Sequence, residues 1–140
     1  MNQVTAPIKK LLVIDNQVSN WQSLASGVGT DTALLILDSG SDGLMQINDY
    51  LTTLATSTQD FTPLQSLQII SHGSAGSLLL GSSTVTTGNL KHYTSQLASI
   101  GSSLTATGDI LLYGCNVAAG QSGLDFINQF AALTLSLIHI

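Results

Sequence analysis

Two short apolar runs constrain this chain most. Leu67-Gln68-Ile69-Ile70 breaks off into Ser71-His72-Gly73, and Ile110-Leu111-Leu112-Tyr113 breaks off into Gly114-Cys115-Asn116. Each ends in small residues around one reactive side chain, and Cys115 is the single cysteine. Two further runs, Leu11-Leu12-Val13-Ile14 and Ala33-Leu34-Leu35-Ile36-Leu37, end in Asp15-Asn16 and Asp38-Ser39. Short continuous runs of this kind suit strands buried on both faces.

The segments between them carry helical spacing. Leu44, Ile47, Leu51 and Leu54 recur along one face, with Ser41 or Asp42 as the cap. Thr87 is expected to cap a second helix bearing Leu90, Tyr93, Leu97 and Ile100. Gly101 and Gly108 are expected to interrupt the chain before a strand over 109–113. Gly120 to Gly123 opens a last helix with Leu124, Ile127, Phe130, Ala131 and Leu133. A short helix through Trp21 and Leu24 fits between Ser19 as cap and Gly27 as stop. Ser77-Leu78-Leu79-Leu80 and Thr84-Val85 flank Gly81-Ser82-Ser83, the pattern of a β-hairpin.

Strands that alternate with helices imply an α/β fold. The expected architecture is a three-layer α/β/α sandwich with a mainly parallel sheet of at least four strands. Right-handed crossovers would bring all four strand C-termini to one edge, where open α/β sheets bind ligands.

Composition removes several functions. Of 140 residues, 44% are hydrophobic and only 8% charged, with mean hydropathy +0.35. Ordinary soluble domains carry about 25% charged residues. All eight acids are Asp, the basic side chains are Lys9, Lys10 and Lys91, and the net charge is −5. A chain without a basic patch is a poor ligand for nucleic acid or an anionic membrane surface. A single cysteine excludes an internal disulfide, and no Cys/His set matches a zinc site. Eight scattered aspartates form no EF-hand loop, and no metal or organic cofactor is expected. No apolar run approaches the roughly 20 residues that span a bilayer. Gly40-Ser41-Asp42-Gly43 lacks both the dinucleotide pattern and the phosphate-loop lysine. The GxSxG elbow of a serine hydrolase is also missing.

Chemistry concentrates at the strand ends. If the third and fourth strands are neighbours, their axes lie about 4.8 Å apart. His72 and Cys115 would then share one edge. A thiolate beside an imidazole is the core of a cysteine nucleophile site, and a following helix N-terminus would favour the thiolate. Gly73 and Gly114 allow close backbone approach, and the N–H groups of Gly73 and Cys115 are candidate oxyanion donors. Asp15, Asp38 and Asn116 stand at the same edge as candidate pocket residues, the two aspartates for a basic side chain and Asn116 to orient a group in the site. For the two aspartates the competing role is to bind loop N–H groups, and for Asn116 it is to cap the next turn. His92 is expected on a solvated helix face and Trp21 in packing.

Two apolar strands ending in Ser-His-Gly and Gly-Cys resemble the caspase-like clan of cysteine peptidases. More closely, VIDNQV, LDSGSDGLMQI, IISHGSAGSLLLG and GDILLYGCNVAAGQSG resemble a bacterial family known as domain of unknown function 4347. The likeness covers residues 11–134. It implies a caspase-like fold, His72 and Cys115 as the dyad, and Gly73 as an oxyanion glycine. It also implies a place near the N-terminus of a large secreted or surface protein, ahead of calcium-binding or cadherin-like repeats. A peptide, or the parent chain itself, would be the substrate. The alternative is a non-catalytic structural or binding module at the head of an adhesin-like repeat protein. Members of the family continue beyond the last helix into a further strand, which is not expected here.

The expected organisation is a leader over residues 1–10, one domain over 11–134 and a tail over 135–140. The N-terminal segment lacks the apolar core of a secretory signal, so an export signal would lie outside this sequence. Leu135-Ser136-Leu137-Ile138-His139-Ile140 is what the transposon-end adaptor of sequencing libraries encodes in this frame. The tail is therefore expected to be translated adaptor, and the domain to be incomplete at its C-terminus.

Overall fold

The computed structural model describes residues 8–57, 63–113 and 116–139. Its centre is a five-stranded parallel sheet in which Thr32–Leu37, Lys10–Asp15, Leu64–Ile70, Leu104–Tyr113 and Leu137–His139 lie side by side in that order. The four apolar runs are strands of this sheet: β1 (Lys10–Asp15), β2 (Thr32–Leu37), β3 (Leu64–Ile70) and β7 (Leu104–Tyr113). The helices are α1 (Trp21–Ala25), α2 (Gly43–Ser57), α3 (Thr94–Ser102) and α4 (Gly120–Thr134).

The chain moves one way from β1 to β2 and then the other way across the sheet. Right-handed crossovers therefore set α1 on one face and α2, α3 and α4 on the other. This is the α/β/α arrangement expected, with one thin layer. The thick side holds the core. Leu11, Val13, Leu37, Leu67, Ile69, Ile110 and Leu112 from the sheet pack there with Leu44, Ile47, Leu51, Leu97, Ile100, Phe126 and Phe130 from the helices. Burying a side chain of this size stabilises by about 1.5–3 kcal/mol. Opposite, Leu12 and Ile14 are buried, but Leu34, Ile36, Ile70 and Leu111 are only half-buried and Tyr113 is exposed.

Local chemistry explains the elements and corrects several expectations. Asp42 caps α2, accepting from the Met45 N–H at 3.2 Å. For α1 the cap position falls on Asn20, not Ser19, in a left-handed conformation with φ 63°. Thr87 caps nothing. Asn89 instead ties its side chain to the Thr86 N–H and the Thr84 carbonyl, and a 3-10 turn, Leu90–Tyr93, precedes α3. Gly101 lies inside α3 rather than breaking the chain. A Cβ there would overlap the Thr134 carbonyl, so the glycine lets α3 and α4 touch. In α4 the buried side is Gly123, Phe126, Phe130 and Thr134, whereas Leu124 is 53% exposed.

The hairpin is β5 (Ser77–Leu80) with β6 (Ser83–Thr86), and β4 (Gly73–Ser74) adds a third antiparallel strand. Gly81 has φ 61° in a two-residue turn where Ser82 has no positive φ, which is the type II′ geometry.

A further strand follows the last helix, contrary to expectation. Leu137–His139 forms β8, parallel to β7 with Ile138 opposite Ile110. An open sheet edge asks only for an extended segment. The strand therefore carries no information about the origin of its codons.

Candidate active site

The sheet order brings four strand ends into one row. Leu37 of β2 stands opposite Asp15 of β1, Ile14 opposite Ile70 of β3, and Ile70 opposite Tyr113 of β7. The strands leading to His72 and to the Gly114-Cys115 segment are therefore neighbours. Cys115 and Gly114 themselves lie outside the described residues.

The segments on either side are tied together twice. Before the two positions, the Ser71 N–H donates to the Tyr113 carbonyl at 3.4 Å. Beyond them, the Gly76 N–H donates to the Val117 carbonyl at 2.9 Å, and Val117 is fully buried. Gly76 has φ 72°, and a Cβ on it would press on the Ser122 carbonyl at the start of α4. Only glycine combines that conformation with that approach. Ser71 is 3% exposed, and its Oγ has no hydrogen-bond partner among the described residues.

His72 is exposed, and its Nε2 lies 3.0 Å from the Gln17 carbonyl oxygen. A carbonyl can only accept, so this contact requires the proton on Nε2 and leaves Nδ1 as the acceptor of the neutral ring. The His72 carbonyl is held in turn by the Leu79 N–H at 2.9 Å. That bond makes Gly73 and Leu78 a non-hydrogen-bonded antiparallel pair. The Gly73 N–H consequently points away from β5, as an oxyanion donor must.

The other edge residues are occupied locally. Asp15 is fully buried. Its Oδ1 accepts from the Gln17 N–H at 2.9 Å and the Gln17 Nε2 at 3.0 Å, and its Oδ2 from the Gly81 N–H at 2.8 Å. A carboxylate without exposed surface lines no open pocket, so its role is the loop-binding one. Asp38 is exposed and accepts from the Gly40 N–H at 3.3 Å. It stands at the end of β2, two strands from β3, or about 10 Å across the sheet. Asn116 is left-handed with φ 56°, and its carbonyl closes a turn with the Ala119 N–H at 3.0 Å. This turn separates residue 115 from α4, which begins only at Gly120. The helix N-terminus is thus not immediately adjacent, and its effect fades within a turn.

Gln17 is the residue that sequence reasoning missed. Its backbone carbonyl makes the contact, and any amino acid supplies a carbonyl. His92 is exposed, as expected. Among the described residues no group of three or more His, Cys, Asp or Glu could hold a metal ion, and no helix is long and apolar enough to cross a membrane.

The model of one protein family, described as a domain of unknown function (DUF4347), matches residues 11–139. No curated protein matches the chain.

Proposed function

The chain belongs to the DUF4347 family, whose description assigns no reaction, and from its geometry we propose a cysteine peptidase domain of caspase-like type. The observation that carries this reading is the double tie between the two strand-end segments, Ser71 to Tyr113 and Gly76 to Val117. It brackets His72 on one side and Cys115 on the other.

In this reading the Cys115 thiol gives its proton to His72 Nδ1, and the sulfur attacks the scissile carbonyl carbon. The N–H groups of Gly73 and Cys115 hold the oxyanion. His72 returns the proton to the leaving amine, and water hydrolyses the thioester. The substrate class is a peptide, with the parent chain as first candidate. A secreted or cell-surface parent with calcium-binding or cadherin-like repeats is part of the same proposal.

A thiol-reactive peptide probe tests it. Cys115 is expected to label under reducing conditions, His72→Ala to slow labelling at least tenfold, and Cys115→Ala to abolish it. A wild-type chain that reacts no faster than a free thiol sinks the proposal. That outcome favours a non-catalytic binding module, which the half-exposed Leu34, Ile36, Ile70 and Leu111 would suit.

A further inference from the structure

We infer that Asp15 is a positioning residue for His72, acting through Gln17. The inference rests on His72 being the base of the proposed site. Asp15 has no exposed surface, and its two oxygens bind three N–H groups. Two belong to Gln17, whose carbonyl receives the His72 ring. The third is the N–H of Gly81 in the turn of the hairpin, and the Gln17 side chain also donates to the Gly81 carbonyl at 3.1 Å.

The burial position itself does not demand a charge. Leu37, the register partner of Asp15 on β2, is equally buried. What an apolar residue could not do is grip residue 17 at both its backbone and its side chain. The main chain leaves β1 at Asp15 and must turn over the sheet edge within two residues. The carboxylate fixes that turn, so the Gln17 carbonyl stands still where the ring needs an acceptor. The hairpin closes the arrangement, because the Leu79 N–H holds the backbone of His72. Asp15 therefore sets both ends of the histidine, the ring through Gln17 and the main chain through the Gly81 turn. Charge-assisted bonds of this kind are the stronger class.

Nitrogen-15 NMR of the whole chain tests this without any substrate. In the wild type the Nε2 proton of His72 is expected to exchange slowly enough to be seen, with a coupling across the bond to the Gln17 carbonyl. Asp15→Asn leaves one acceptor oxygen, and the proton is expected to exchange at least tenfold faster. Gln17→Gly provides the second route, since it removes the side-chain bonds to Asp15 and to the Gly81 carbonyl and loosens the turn, while Asp15 keeps the Gly81 N–H. Asp42→Asn is the control for a merely structural effect. It loosens the same hairpin at Ser83, which donates to Asp42 at 2.9 Å, and is expected to leave the His72 signal unchanged. A folded Asp15→Asn chain with an unchanged His72 proton overturns the inference, as does an unchanged signal in Gln17→Gly if Asp15→Asn fails to fold. Equal losses in Asp15→Asn and Asp42→Asn also overturn it. The readout does not involve Cys115. An intact His72–Gln17 bond beside an unreactive Cys115 would sink the peptidase reading alone.

Discussion

Tyr93 donates its hydroxyl to Asp42 at 2.6 Å. Partial burial, and then the bond to Asp42, push its pKa above the usual value near 10, and the charge on Asp42 adds to the effect. A raised folded-state pKa means that the unfolded chain loses its proton first. Stability is then complete below pH 10 and falls as pH rises through the folded value. The thermal midpoint, followed by circular dichroism from pH 8 to 11.5, is expected to drop more steeply in the wild type than in Tyr93→Phe. Superposable curves would deny the linkage. Two glycines separate space from conformation in the same way. Gly101 has no room for a Cβ, whereas Gly120 has φ 64° with nothing among the described residues within 4 Å of a Cβ. Gly101→Ala is expected to cost about 1–3 kcal/mol by overpacking. Gly120→Ala is expected to cost about 1 kcal/mol by strain alone. Urea unfolding ranks the two, and the reverse order would refute the close approach of α3 and α4. At this scale His72 and Gly73 were legible as candidates because their side-chain chemistry, or lack of one, is written in the sequence. Gln17 was not, because a carbonyl is common to all residues.

Elements were legible where one periodicity acted alone. Four apolar runs became β1, β2, β3 and β7, and the spacing of Leu44, Ile47 and Leu51 became α2 with Asp42 as its cap. Signals failed where two local forces compete. Thr87 looked like a helix start, but the Asn89 side chain captures the Thr86 N–H at 2.7 Å and diverts the chain into a 3-10 turn. Asn89→Ala frees that N–H and the Thr84 carbonyl together. It is expected to destabilise by about 1 kcal/mol, with faster amide exchange confined to β6 and the following turn. Uniform exchange throughout would show that Asn89 does not act locally. Phe126 was missed in α4 because Leu124 and Ile127 offer an equally good apolar stripe. Gly123 decides between them: a Cβ there would overlap the Ala118 backbone, so that side of α4 must face inward.

For the molecule as a whole, alternation of strand and helix was enough to give the parallel sheet and the edge where its strands turn polar. The thin layer was not legible, because α1 has only five residues and nothing in the apolar runs says how well each face is covered. Nor was β8, whose pairing depends on the open edge of β7 more than on its own sequence. That edge permits a test. A chain ending at Thr134 would lose the pairing of Leu137–His139 with Asp109–Leu111 and the packing of Ile138 against the core. Backbone bonds worth about 1 kcal/mol each and partial burial of one isoleucine worth about 1 kcal/mol set the expected loss on the order of 2–4 kcal/mol. The bare β7 edge would also present unpaired N–H and C=O groups to a second copy. Urea unfolding is expected to move to lower concentration, and sedimentation to show association that grows with protein concentration. If the shortened chain unfolds at the same midpoint and stays monomeric, β8 contributes nothing to this fold, and the domain closes at α4.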